Sequence, residues 1–314
     1  MLLSIGRSLG WRLAQAGLVA ILVGVLSFAM MRALPGDMIF RIAAARFGYD
    51  NVTAENAELV RSQIGDPAGI SAFLGWIAGL FRGDLGTSLV TGETVLAEIA
   101  HQFGATAELA GVAILLSLLI GPPLGLWAGL HPGGWFDRAT VLLASVFKAT
   151  PQFLLGLVLI VVVAIGMGLL PAAGHGEARH LILPGLTLAL GLAANTTRIT
   201  REAVVQARDS DWWRFARWKG LSERQVVLRH GLRHVAVPVL TLIAAQFVAL
   251  MEGVVVVETI FGWPGIGHAL VHAVFHRDVP MVQGTALIMG LAFVLINALA
   301  DIAARVLDPR EAAQ

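Results

Sequence analysis

The stretch DWWRFARWKGLSERQVVLRHGLRHVAVP, residues 211–238, interrupts an otherwise apolar chain. It carries Arg214, Arg217, Lys219, Arg224, Arg229 and Arg233, yet long apolar runs flank it on both sides. It holds no proline before Pro238. Apolar residues recur at helical spacing, first Phe215, Trp218 and Leu221, then Val226, Val227 and Leu232. The segment GLSER (220–224) reads as a helix break followed by a restart. Ser222 is the N-cap, and Glu223 sits in the first turn, where the helix dipole favours an acid. The spacing therefore predicts two short helices joined at Gly220. The first exposes Trp212, Trp213, Phe215 and Trp218 beside Arg214, Arg217 and Lys219. Two uses fit such a helix. It can lie on a membrane surface, with aromatics at the headgroups and cations on anionic lipid. It can also be a docking knob whose aromatics fill a pocket on a soluble partner.

The rest of the chain decides on which side of what barrier this stretch lies. Of 314 residues, 57% are hydrophobic and 14% charged, against about 25% charged in soluble domains. With a mean hydropathy of +0.77, the chain reads as an integral membrane protein. A net charge of +1 gives no reason to expect a nucleic-acid partner. The absence of cysteine excludes disulfides and thiolate metal sites. The first apolar run is long for a signal peptide and lacks a small-residue cleavage site, so it reads as a retained anchor helix.

Six runs are long enough to span: 13–31, 105–130, 139–170, 182–204, 235–259 and 282–307. The runs are continuous rather than alternating, which excludes a barrel. The fold class is all-α, with six transmembrane helices. The third run is over-long and reads as a span that is tilted or runs past the lipid. An even number of crossings puts both termini on one side. With that side inside, the inner segments hold Arg7, Arg12, Arg138, the cations from Arg198 to Arg233, Arg305 and Arg310. The outer segments hold roughly half as many cations, so the positive-inside rule places both termini in the cytoplasm. Residues 1–104 form the anchor helix and a long extracytoplasmic segment. Residues 105–314 form a five-helix membrane domain, and its loop at about 205–237, between the fourth and fifth spans, is cytoplasmic. The first outer segment contains a short surface helix with Thr53 as N-cap, and residues 260–281 form a Gly/Pro turn followed by a short amphipathic helix.

Several polar residues stand out. Lys148 lies about ten residues into the third run, near mid-bilayer, and Glu252 sits in the fifth. The ordinary reading is that they snorkel or pair. The sharper one is that they line a solute pathway, Lys148 meeting a carboxylate and Glu252 an amine. Glu258 lies near the outer end of the fifth run, where it closes a gate or anchors the turn that follows. Asp301 and Arg305 are spaced for an i,i+4 pair. His268, His272 and His276 share one helix face. Its ordinary use is as a polar surface, and its sharper use is as a transition-metal site. The chain has no G-x-x-x-x-G-K-[ST] stretch and no H-E-x-x-H, so it neither cradles ATP itself nor carries a catalytic set that can be defended.

The opening stretch resembles the cytoplasmic loop of permease subunits of binding-protein-dependent ABC importers, most closely the dipeptide/oligopeptide/nickel branch. Ala216, Arg217, Lys219, Gly220, Leu221, Arg229, His230, Leu232, Arg233 and Pro238 stand at matching positions. The likeness extends over nearly the whole chain through LPGD (34–37), RGDLGTSLVTGETVLAEIAHQFGATAELA (82–110), LLPAAGHGEARHLILPGL (169–186), VVVETIFGWPGIG (255–267), RDVPMVQG (277–284) and LDPR (307–310). Glu258 and Asp301 match acidic positions of the family, whereas Lys148 and Glu252 depart from it.

The resemblance implies a multi-pass permease of the bacterial inner membrane, not an enzyme, importing peptides or related small solutes, metal chelates included. It implies two ATP-binding subunits that hold ATP and Mg, a second homologous permease and an extracytoplasmic solute-binding protein, with lipid around them. It implies no cofactor or metal on this chain. It assigns ATPase coupling to Asp211, Trp212, Trp213, Arg214, Phe215, Ala216, Arg217, Trp218, Lys219, Gly220 and Leu221. The competing class is a stand-alone ion-coupled carrier, which would use Glu252 and Asp301 as a relay and leaves the cytoplasmic loop without a purpose.

Overall fold

The computed structural model describes the backbone of residues 2–65 and 69–307. Side chains are described from residue 11 onward, apart from 13, 66–68, 233, 244, 248, 249, 251, 252, 300, 301 and those beyond 302. The regular structure of the described residues is helical, and their only β pairing is an isolated bridge between Thr87 and Thr94. In chain order the helices are α1 (Leu2–Ala33), α2 (Met38–Phe47), α3 (Ala54–Ile64), α4 (Ile70–Leu80), α5 (Val95–Leu130), α6 (Trp135–Ala149), α7 (Gln152–Leu159), α8 (Ala178–Asp209), α9 (Asp211–Trp218), α10 (Glu223–Val226), α11 (Leu232–Phe261), α12 (Ile266–His276) and α13 (Val279–Leu307). Two π-helical pieces, Ile160–Gly166 and Val227–Gly231, extend α7 and join α10 to α11.

By length and composition, three helices can cross a membrane, within α1, α5 and α13. Bent pairs, each counted as one crossing, raise the number to as many as six. The third apolar run is one of those pairs. It is not a single tilted span: α6 and the helix from Gln152 to Gly166 meet at 107°. Pro151 is the cause. It supplies no N–H to continue the ladder and drives the residue before it out of the helical region. Thr150 accordingly sits at φ −82°, ψ 124°.

The chain forms two compact units. The first comprises Met1–Thr106 and Pro264–Leu295, the second Ala107–Trp263 and Ile296–Gln314. In the first unit, the Asp37 carboxylate accepts the Ile39 N–H (2.8 Å) and starts α2. Thr53 caps α3 by accepting from Asn56 (3.2 Å), as the sequence predicts. Ile39, Ile42 and Ala43 then pack on Ala57 and Val60. Between α12 and α13, Arg277 and Asp278 are both buried. The Arg277 guanidinium donates to the carbonyls of Met31 (3.3 Å), Leu34 (3.4 Å) and Pro35 (2.6 Å). The Asp278 carboxylate accepts from Ser88 Oγ (2.5 Å) and from the backbone N–H of Leu89 (3.1 Å), Val90 (3.3 Å) and Met281 (3.3 Å).

The second unit is organised on α8, which packs on α11, α6 and α7. It also packs on α5, through Gly121, Gly125 and Gly129, which recur every four residues. A Cβ on these would lie 2.7 Å from the Thr196 Cβ, 2.4 Å from the Thr197 carbonyl and 2.7 Å from the Val204 Cβ. Small residues at this spacing let two backbones approach, which is how helices associate in lipid. A partly buried ion pair ties α6 to α8: Arg201 grips both oxygens of the buried Asp137, through Nε and through Nη2 (2.8 Å), and the Gly133 N–H adds a third donor (2.8 Å).

Candidate functional site

The loop between α8 and α11 is built as the capping chemistry requires. Ser210 accepts from the Trp213 N–H (3.4 Å) and starts α9, with Asp211 in the first turn. The helix ends at Lys219. Gly220 then turns the chain at φ +84°, with no other atom within 4 Å of where a Cβ would stand. Its N–H donates to the Arg217 carbonyl (3.0 Å), and that of Leu221 to Ala216 (3.3 Å). Ser222 and Gln225 form a reciprocal capping box that starts α10. The break at Gly220 and the restart at Ser222 lie where the sequence places them.

The orientation of the aromatics differs from expectation. Trp213 is only 6% exposed; with Ala216 it packs on Ala207, Val226 and Val227, flanked by Leu126 and Leu130 of α5. Trp212 is half-buried and stacks on His234 (centroids 4.6 Å apart, planes 16° apart). Only Phe215, at 55%, and Trp218, at 82%, stand out from the surface. The reason is helical geometry. Trp213 and Ala216 lie three apart on the side facing α5 and α8, and Phe215 and Trp218 lie three apart on the other. Lys219 covers the Phe215 ring (4.5 Å to its centroid). Arg214 pairs with Asp211 (3.0 Å), and Arg217 donates to the Leu221 carbonyl (2.9 Å). The knob is anchored from behind by Arg208, which donates to the Leu130 carbonyl and lies 3.7 Å from Glu223. Arg208 and the Asp137–Arg201 pair are absent from the sequence-derived set. Their one signal is charge at the ends of apolar helices.

The other candidates lie apart from this loop. Lys148 stands in the last turn of α6, immediately before the bend, and is exposed. It shares a cleft with Ser145, Thr197, Arg198 and Arg201, so it faces other cations. The side chains of Glu252, Asp301 and Arg305 lie outside the described residues. Glu258 is fully buried, and its carbonyl accepts the N–H groups of Gly262 and Trp263, which fold the left-handed turn at the end of α11. His268, His272 and His276 do share a face of α12, with ring centroids 4.4 and 5.5 Å apart in succession. Among the described residues, however, no group of three or more His, Asp or Glu side chains could hold a metal ion.

Residues 121–312 match the family described as binding-protein-dependent transport system inner membrane component. The glutathione transport system permease protein GsiC of Escherichia coli (strain K12) is 38% identical over 289 residues, covering 92% of this chain and 93% of that protein. GsiC of Salmonella typhi is 37% identical over 291 residues, with the same coverage. The match spans the bend, the glycine-packed helices and the capped loop alike, and the chain belongs to the permease subunits of binding-protein-dependent ABC importers, in their dipeptide/oligopeptide branch.

Proposed function

We propose that this permease takes up peptide-like solutes, glutathione and related short peptides foremost, by ATP-driven alternating access. Its relatives are named for glutathione transport, and metal chelates of peptide-like shape belong to the same class of cargo. In this reading the chain crosses the bacterial inner membrane six times, with both termini in the cytoplasm. It works with a second homologous permease, two ATP-binding subunits that carry ATP and Mg, and an extracytoplasmic solute-binding protein.

One observation carries the reading: α9 is seated rigidly by Trp213 and Ala216 while it offers Phe215 and Trp218 outward. A helix that only rested on lipid would have no need of the seat. A helix that transmits motion needs both a face for the partner and a stiff link to the spans. Here that link runs through Arg208 and the packing of α9 on α5 and α8. Residues 211–221 are therefore assigned the coupling role, with Gly220 as the joint. Lys148 and Glu252 are assigned to the solute pathway, and Glu258 to anchoring the turn after α11.

The experiment is ATP-driven uptake by the reconstituted complex. Trp218→Ala with Phe215→Ala should leave assembly intact and reduce uptake at least tenfold, while ATP hydrolysis loses its stimulation by the loaded binding protein. Uptake by this chain alone in liposomes, driven by an ion gradient, would overturn the reading in favour of a stand-alone carrier.

A further inference from the structure

The helix α4 has no part in any assignment above. Its sequence, ISAFLGWIAGL, holds no charged residue. In the chain it is bounded by charge, Asp66 on one side and Arg82 and Asp84 on the other. Its 11 residues reach about 16 Å at about 1.5 Å each. That is half of a hydrocarbon core of about 30 Å, so the helix is too short to cross.

Its contacts with α1 give its depth. The apolar span within α1 is Ala14–Ala33. Trp76 of α4 lies against Gly24 of that span, and a Cβ on Gly24 would stand 2.8 Å from the indole ring. Phe73 of α4 stacks on Phe28, with ring centroids 4.6 Å apart. Ala33 is the end of the span that leads into the long outer segment. Phe28 lies about 8 Å inside that end and Gly24 about 14 Å inside it, at about 1.5 Å per residue. The hydrocarbon of one leaflet is about 15 Å deep. The contacts of α4 on α1 therefore fall within the outer leaflet, the deeper one near its floor.

The opposite face of α4 is open. Ile70, Leu74, Ala78 and Phe81 recur at spacings of four and three, on one side of the helix. All are exposed, Leu74 at 58% and Phe81 at 89%. By contrast α3, in the same outer segment, exposes Glu55, Glu58, Arg61 and Gln63. A continuous apolar face on a helix is a contact surface. Over the same depth α1 exposes Val25, Leu26 and Met30, so the face of α4 continues the lipid-facing side of a span. Charge beyond both ends keeps either end from being driven toward the bilayer centre, which leaves the helix lying flat.

We propose that α4 lies in the plane of the outer leaflet, with Ile70, Leu74, Ala78 and Phe81 in lipid hydrocarbon and Arg82 and Asp84 at the headgroups. It is a second anchor, beside α1, that holds the extracytoplasmic segment to the bilayer. In-plane helices of this kind bury their apolar face about 5–10 Å into the headgroup and acyl boundary. The proposal rests on the membrane reading of α1, and not on the coupling role of α9.

The chain contains no cysteine, so single cysteines can carry a nitroxide at chosen places. Leu74→Cys and Ala78→Cys report on α4. Leu59→Cys reports on the exposed side of α3, and Ile21→Cys on the exposed side of α1. Each is assembled with cysteine-free partner subunits and reconstituted into vesicles of phosphatidylethanolamine and phosphatidylglycerol. Electron paramagnetic resonance reads collisions with oxygen, which concentrates in hydrocarbon, and with a water-soluble nickel chelate. The labels of Leu74→Cys and Ala78→Cys should meet oxygen severalfold more, and the chelate severalfold less, than that of Leu59→Cys, in line with Ile21→Cys. Chelate collisions equal to those of Leu59→Cys would overturn the proposal, because the face would stand in water. Shielding from both reagents would overturn it in favour of a protein cover, the second permease. A chelate-exposed label in Ile21→Cys would instead remove the membrane reading of α1, so the two failures are told apart.

Discussion

At Gly220 and at Arg277 the backbone turns through the left-handed region, with φ of +84° and +60°. The surroundings are opposite. Around Gly220 there is open space, and each neighbouring hydrogen bond closes within a few residues. Around Arg277 the chain is buried, and the bonds of Arg277 and Asp278 reach Met31, Pro35 and Ser88, far away in sequence. A glycine turns without a steric penalty, whereas an arginine in that conformation costs roughly 1–2 kcal/mol. The first unit offsets that cost with three carbonyls around one guanidinium. The comparison separates a turn locked by distant partners from a turn held only by its own neighbours.

The largest effect is expected at the lock. Asp278→Ala strips the Ser88 hydroxyl and the Leu89 N–H of their acceptor and leaves the Val90 N–H with Ser88 Oγ alone. Losing one side of such a charged network costs about 3–5 kcal/mol. Thermal unfolding in detergent should fall steeply, and membrane-inserted protein should be recovered in low yield. An unchanged unfolding temperature would mean that the lock is ornamental and that the comparison fails.

The next test sets two tryptophans of one short helix against each other. Trp213→Ala empties the seat of α9 and should cost about 3–5 kcal/mol of local packing, with loss of uptake as a consequence. Trp218→Ala should change stability by less than about 0.5 kcal/mol and still reduce uptake at least tenfold. If the two variants lose stability equally, α9 is not a seated knob.

Gly220→Ala is smaller again. A Cβ meets no neighbour there, so only the conformational cost of roughly 1–2 kcal/mol remains. Uptake should fall severalfold while ATP hydrolysis continues. Full coupling in this variant would show that the joint tolerates distortion and that the motion passes elsewhere.

Much of the loop was legible in the sequence because its determinants are local. Caps act within three residues, and Ser222, Gln225 and Gly220 lie close together. Thr53 announced α3 for the same reason. What escaped depends on partners distant in the chain. Four aromatics within seven residues leave the buried side undecided, and Leu126 and Leu130 of α5 decide it. Asp137 and Arg201 stand 64 residues apart. The bend at Pro151 did have a local signal, but the run stays apolar across it, so hydropathy reads through a break that backbone sterics impose. Lys148 lies at this bend, in a cleft it shares with Arg198.

The smallest effect tests how the joint restarts. At α10 the Ser222 hydroxyl accepts the Gln225 N–H (3.3 Å), and the Gln225 side chain returns to the Ser222 N–H (2.9 Å). The four residues of α10 are the first turn of a helical stretch that continues through the π-helical piece into α11. The free N–H groups of that first turn rely on the box, and its position relies on the burial of Val226 and Val227 beneath Trp213. Ser222→Ala removes the box alone and should cost about 1 kcal/mol. Hydrogen exchange at residues 223–226 should then quicken about fivefold, while the N–H groups of α9 keep their rates and uptake changes little. If exchange does not quicken, packing alone holds α10, and the joint is a hinge between two packed bodies. If α9 quickens as well, the two helices form one cooperative unit, and Gly220 is a kink within it.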